Sequence, residues 1–133
     1  MTGSRASKLW YTLSQSMDTT QVAHYIPEII EQLRPIDPAR VILFGSGAYG
    51  AAADINDIDL LVVTQSSQLP SSHRERESIY LEVAARLRDI RRKVSMDLIV
   101  HTRAMHERFL ELNSLFAQEV LRSGVTIYES RHQ

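Results

Sequence analysis

Asp57 and Asp59 are separated by a single residue and open an apolar run, Leu60-Leu61-Val62-Val63. In an extended strand alternate side chains share a face, so these carboxylates project together, about 7 Å apart along the backbone at ~3.3 Å per residue. Ionised groups at the mouth of a buried strand are costly unless paired or bound to a cation, and one divalent ion relieves both. Asp97 stands in a further strand-like run, Val94-Ser95-Met96-Asp97-Leu98-Ile99-Val100. If that strand lies alongside, Asp97 adds a carboxylate from the same face, and the three acids form an oxygen cage of the kind that holds two Mg²⁺ ions in phosphoryl transfer. Taken singly the residues have plainer readings. Asp57 and Asp59, with Asp54 and Asn56 nearby, also suit a turn before a strand. Asp97, a carboxylate in an apolar strand, also suits a structural ion pair.

Upstream, Gly45-Ser46 ends the β-branched and aromatic run Arg40-Val41-Ile42-Leu43-Phe44. A junction where a strand stops and a helix starts presents free backbone N–H groups and the positive end of a helix dipole, which is a natural seat for an anion. Gly45 permits close backbone approach, Ser46 offers a hydroxyl to a phosphate oxygen, and the small residues from Gly47 to Ala53 leave room for a triphosphate. By itself the pair is more simply a strand-to-helix turn with a serine cap. Acids that bind metal, set opposite an anion cradle, point to a nucleotide.

The elements that must position these residues follow from periodicity. Ile29, Ile30 and Leu33 have helical spacing, with Pro27 suited to a first helical turn and Pro35 and Pro38 closing the helix. Arg40 to Phe44 and Asp57 to Val63 read as buried central strands, with a short helix beginning near Ser46 between them. After the polar connector of residues 64–72, Ser72-His73-Arg74-Glu75 fits a capping box, and Ile79, Val83, Leu87, Ile90 and Val94 mark one long amphipathic helix. A third strand follows over Val94 to Val100. Two helices then carry Met105, Phe109 and Leu112, and Leu115, Phe116, Val120 and Leu121, ending at Gly124, and a last strand runs from Val125 to Tyr128. Strands alternating with helices predict an α/β (α+β) fold with a small sheet flanked by helices. The sheet should be mixed, because the link through Gly47 to Ala53 leaves little crossover length.

At 133 residues, 44% apolar and 23% charged, the chain reads as one soluble globular domain, residues 1–133. A formal net charge of -1 provides no general field for nucleic acid or anionic lipid. The absence of cysteine excludes disulfides, thiol nucleophiles and thiolate zinc sites, leaving hard cations as the expected metals. The longest apolar stretches, Val41 to Phe44 and Leu60 to Val63, fall far short of the ~20 residues that span a bilayer, and Leu9-Trp10-Tyr11 is too short for a secretory core, so a cytoplasmic protein is expected. Arg86, Arg88, Arg91, Arg92 and Lys93 read as a solvated helix face, although such a cluster could steer an anion. His101 and His106 are five apart without a zinc-protease frame, and no histidine is assigned to catalysis.

The segments Val41-Ile42-Leu43-Phe44-Gly45-Ser46, Asp57-Ile58-Asp59-Leu60-Leu61-Val62 and Asp97, with the closing Phe116-x-x-Glu119-Val120-x-x-x-Gly124-x-x-x-Tyr128, make the chain resemble the DNA polymerase β-like nucleotidyltransferases over about residues 25–129. The resemblance is specifically to the minimal nucleotidyltransferases that serve as antitoxins of HEPN toxins. It implies that Gly45 and Ser46 bind the β- and γ-phosphates of ATP, that Asp57 and Asp59 hold two Mg²⁺ ions, and that Asp97 binds the catalytic metal and helps deprotonate an acceptor hydroxyl. The implied reaction places AMP on a tyrosine of a HEPN-type partner, within a homo- or hetero-oligomer and without direct nucleic-acid binding. Members of the family commonly carry arginine where this chain has Gly47 and Tyr49, which removes two phosphate-neutralising charges. The alternative expectation is therefore a catalytically weak module of the same fold that neutralises its partner by binding.

Overall fold

The computed structural model describes residues 4–6, 21–45 and 57–131. In chain order the elements are β1 (Ser4–Ala6), α1 (Gln21–Leu33), a 3₁₀ turn (Arg34–Ile36), β2 (Arg40–Phe44), β3 (Asp57–Val63), α2 (His73–Arg86), α3 (Arg88–Arg91), β4 (Ser95–His101), α4 (Arg103–Leu112), α5 (Leu115–Ser123) and β5 (Val125–Ser130). The five strands form one mixed sheet in the order β1-β5-β2-β3-β4. β2 pairs antiparallel with both β3 and β5, β1 pairs antiparallel with β5, and β3 and β4 run parallel. The mixed sheet expected from the short link after β2 is therefore present.

The helices form where the apolar spacing is helical. α1 buries Ile26, Ile29, Ile30 and Leu33, an i, i+3, i+4, i+7 stripe. It begins six residues before Pro27, which therefore lies inside the helix and not in its first turn. Pro27 is on the exposed side, where its ring obstructs no packing. Ser72 caps α2 by accepting the Glu75 N–H at 3.1 Å, while the Glu75 carboxylate takes the Ser71 N–H at 2.8 Å, a capping box displaced by one residue. The single long helix expected over this region is two helices. Leu87, at φ -101° and ψ 10°, interrupts it, yet Val83, Leu87, Ile90 and Val94 all remain buried. Burial of the stripe survives the break because each residue still reaches the same core.

That core lies on one face of the sheet, where α1, α2 and α3 cover Val41, Leu43, Ile58, Leu60, Val62, Met96 and Val100. The opposite face carries a smaller cluster of Ile42, Phe44, Leu61 and Val120, with Ile99 and Phe109 packed against it from β4 and α4. β1 was not expected from the sequence, since three residues are too few to show a period. The expected helix from Ser46 falls outside the described residues. No helix of the described residues is long and apolar enough to cross a membrane.

Candidate active site

Strand alternation sets the direction of the acids. Ile58, Leu60 and Val62 point into the main core, so Asp57 and Asp59 project to the other face with Leu61. On β4 the same rule places Asp97 with Ile99 on that second face. The parallel register aligns Asp59 with Asp97 and Asp57 with Ser95, so the acids gather at the end of the sheet where β3 and β4 begin. β4 is an edge strand of the sheet, and Asp97 is exposed there, which corrects the expectation of a buried carboxylate that needs a structural partner.

Asp59 is the half-buried member, and its carboxyl is held above the usual carboxylate range, first by burial, then by the charge of Asp97, a side-chain hydrogen bond with Asp97 and the charge of Asp57. Two carboxyl groups facing each other in register are favourable only if they share a proton or a cation. Gly45 closes the site from β2. Its φ is +78°, a left-handed conformation, and a Cβ at that position would run into the Asp59 carboxylate. The glycine is therefore required both by the turn and by the approach of the backbone to an acid. Ser46 lies outside the described residues.

The donor set fits a hard divalent ion. Among the described residues no three His, Cys, Asp or Glu side chains converge tightly enough to enclose a metal by themselves, so the closed oxygen cage expected from the sequence is an open cluster instead. Mg²⁺ is commonly held in this way, by one or two carboxylates with substrate phosphates completing its shell.

Sequence spacing missed the surroundings of the acids. Phe44 is the register partner of Asp59 and packs edge-on against Phe116 of α5, ring centroids 5.6 Å apart. Phe116 meets Phe109 at 5.9 Å, and Phe109 meets His101 at 5.0 Å. His101 and His106 place their Nδ1 atoms 3.1 Å apart. Burial and the neighbouring imidazole lower His101 to about 4, and burial with the charge of Arg40 lowers His106. The basic run is solvated: Lys93 pairs with Glu28 at 3.2 Å and Arg92 with Asp89 at 3.7 Å.

Residues 26–133 match the family model described as polymerase beta, nucleotidyltransferase. The chain belongs to that family. Among curated proteins none matches the sequence. Among solved structures, the chain is similar to a toxin–antitoxin complex with AMP-PNP, at 19% identity, TM-score 0.48 and coverage of 80% of this chain and 74% of that one. It is also similar to a complex of tri-AMPylated Shewanella oneidensis HEPN toxin with its MNT antitoxin, at 20% identity, TM-score 0.44 and coverage of 81% and 72%. In this chain the acids of β3 and β4 and the glycine after β2 occupy one end of the sheet, on the face that Phe109 of α4 and Val120 of α5 cover farther along.

Proposed function

We propose that the protein is a Mg²⁺-dependent nucleotidyltransferase that moves AMP from ATP onto a hydroxyl of a partner protein, and that it acts in the cytoplasm as the antitoxin of a HEPN-type toxin, with residues 1–133 forming one catalytic domain. The observation that carries the catalytic reading is the register of Asp59 against Asp97 with Asp57 two residues upstream on the same face. Family membership supports the reaction class. The partner assignment rests on the resemblance of the motif-bearing segments to minimal nucleotidyltransferases.

In this reading Asp57 and Asp59 hold the metals, Asp97 joins Asp59 at the catalytic one, and Gly45 and Ser46 hold the β- and γ-phosphates. Bound Mg²⁺ supplies charge neutralisation at the phosphates. Asp97, exposed on the edge strand, would receive the acceptor's proton. As the acceptor oxygen bonds to the α-phosphorus, the bond to pyrophosphate breaks and pyrophosphate leaves. Gly45 keeps the backbone close to Asp59, so the phosphate seat and the acids act on one substrate.

Titrating ATP with and without Mg²⁺ into the parent and Asp59→Asn tests the site, and intact-mass measurement of a co-expressed HEPN-type partner tests the reaction. Added AMP mass that disappears with Asp59→Asn is the expected result. Gly47 and Tyr49, in place of the family's arginines, favour one second reading, a binding module with lost chemistry. There the partner is neutralised unmodified, and Asp59→Asn neutralises it equally well.

A further inference from the structure

A run of large apolar side chains on α4 and α5 lies uncovered. Leu112 is 74% exposed, Leu115 85% and Phe116 44%, all within five residues of the turn that joins the two helices. Exposed leucines scattered singly are ordinary, but a contiguous cluster at one turn marks a contact surface. A cleft of about 340 Å³ adjoins it, lined by Leu69, Pro70, Met105 and Leu112, with Arg76 and Arg108 also on its walls. Its size suits a large apolar or aromatic side chain, and its two guanidiniums suit carboxylates flanking that anchor.

The position of this surface indicates what covers it. Phe109 lines the cleft and touches Phe116, Phe116 touches Phe44, and Phe44 is the register partner of Asp59. A continuous aromatic path therefore links the acid cluster with the cleft. A macromolecule that presents a hydroxyl to Asp59 from its own side of the sheet comes down beside Phe44 and Phe116 of α5. A small acceptor would have no use for the leucines.

We propose that the α4–α5 turn and its cleft are the docking surface for the protein that carries the acceptor hydroxyl, and that this protein engages it through an apolar anchor flanked by acidic residues. The inference rests on the transferase reading for the identity of the occupant. It separates recognition, at Leu112, Leu115, Arg76 and Arg108, from chemistry, at Asp57, Asp59 and Asp97.

The test uses two double variants, Leu112→Lys with Leu115→Glu and Arg76→Glu with Arg108→Glu, all at exposed positions. The probe is the HEPN-type partner of the transfer assay. Expected for both is Mg²⁺-ATP affinity within about twofold of the parent, with at least an about tenfold rise in Kd for the partner that appears in KM and not in kcat. Parental partner Kd and KM in both variants would overturn the docking surface. So would sedimentation showing a parent dimer that the leucine variant dissociates while it still binds the partner, since a second copy then covers the patch. If Asp59→Asn leaves nucleotide binding and partner modification unchanged, the assignment of the chemistry to Asp59 fails instead, and if the parent adds no AMP mass to the partner, the transferase reading fails. If the parent binds the partner through this surface without modifying it, the surface stands and the chemistry falls.

Discussion

Asp59 and Asp97 are register partners across the parallel pair β3 and β4, and burial together with the charges of Asp97 and Asp57 holds the Asp59 carboxyl above its usual range. Folding alone has no reason to favour this arrangement, since like charges opposite each other on a sheet are destabilising. It is favourable once a cation is present. In the proposed function, such a cluster trades stability of the free protein for affinity toward a metal and its phosphate ligands.

Asp59→Asn tests that trade. Removal of one charge should stabilise the metal-free protein by about 0.5–1 kcal/mol, as expected for relief of a like-charge cross-strand pair. Addition of Mg²⁺ and ATP should raise the melting temperature of the parent by mass action and leave the variant unmoved. Differential scanning fluorimetry of both proteins, with and without ligand, reads all four states. A metal-free variant less stable than the parent would show that Asp59 serves the fold and not a cation.

Gly45→Ala addresses the other wall of the site. The φ of +78° is strained for alanine, and its methyl group would occupy the position of the Asp59 carboxylate. A loss of about 1–3 kcal/mol in urea unfolding is expected from the backbone and the clash together. Because Asp59 must swing away, Mg²⁺-ATP binding should weaken by more than the fold does, about tenfold or beyond. Equal nucleotide affinity in Gly45→Ala would mean that Asp59 is not held where a metal needs it.

Much of this site could be read from residue types and spacing, and the rest depended on information that spacing does not contain. The interval from Gly45 to Asp57 and Asp59 was legible because strand alternation fixes which side chains share a face. The stripe Val83, Leu87, Ile90 and Val94 was legible as a buried face, but the break at Leu87 was not, since the spacing of the buried residues is kept across it. Asp97 was recognisable as an acid in a strand; its exposure followed from β4 lying at the sheet edge, a property of topology. His101 and His106 meet across the junction of β4 and α4, where neither the strand nor the helix period applies. The apolar surface at Leu112 and Leu115 looked like ordinary helix packing because periodicity cannot distinguish a covered face from an uncovered one.

The histidine pair makes stability depend on pH. With Nδ1 atoms 3.1 Å apart, one ring donates and the other accepts, an arrangement that needs at least one neutral imidazole. His101 titrates near 4 when folded and near 6.5 in its ordinary state. Between those values the unfolded chain binds the additional proton, so stability is fully present above pH 6.5 and declines as the pH falls toward 4. His106, lowered by burial and by Arg40, adds to the loss in the same direction. Urea midpoints measured from pH 7.5 down to about 4.5 should fall through this window. His101→Phe retains the contact with Phe109 and removes the titration, so its profile should be flatter; a slope equal to the parent's would remove His101 as the cause.

At the opposite end of β2 and β3 from the acids, Asp37 joins two distant parts of the chain. Its carboxylate accepts the Tyr128 hydroxyl at 2.7 Å and the Ser130 hydroxyl at 2.9 Å, and its carbonyl accepts the Gln65 amide at 3.0 Å. Tyr128 is fully buried, so its hydroxyl would lose a charged acceptor that nearby water cannot readily replace. Asp37 also has a φ of 42°, a conformation that asparagine tolerates and alanine does not. Asp37→Ala should therefore cost about 2–4 kcal/mol from the lost charged hydrogen bonds and the backbone strain together, and Asp37→Asn distinctly less. Because β3 enters the site at its far end, Mg²⁺-ATP affinity of whatever fraction remains folded should match the parent in both variants. Urea unfolding and calorimetric titration at one temperature measure the two quantities. A drop in nucleotide affinity that outpaced the loss of folded protein would show that the staple at Asp37 sets the register of the acids as well as the stability of the sheet.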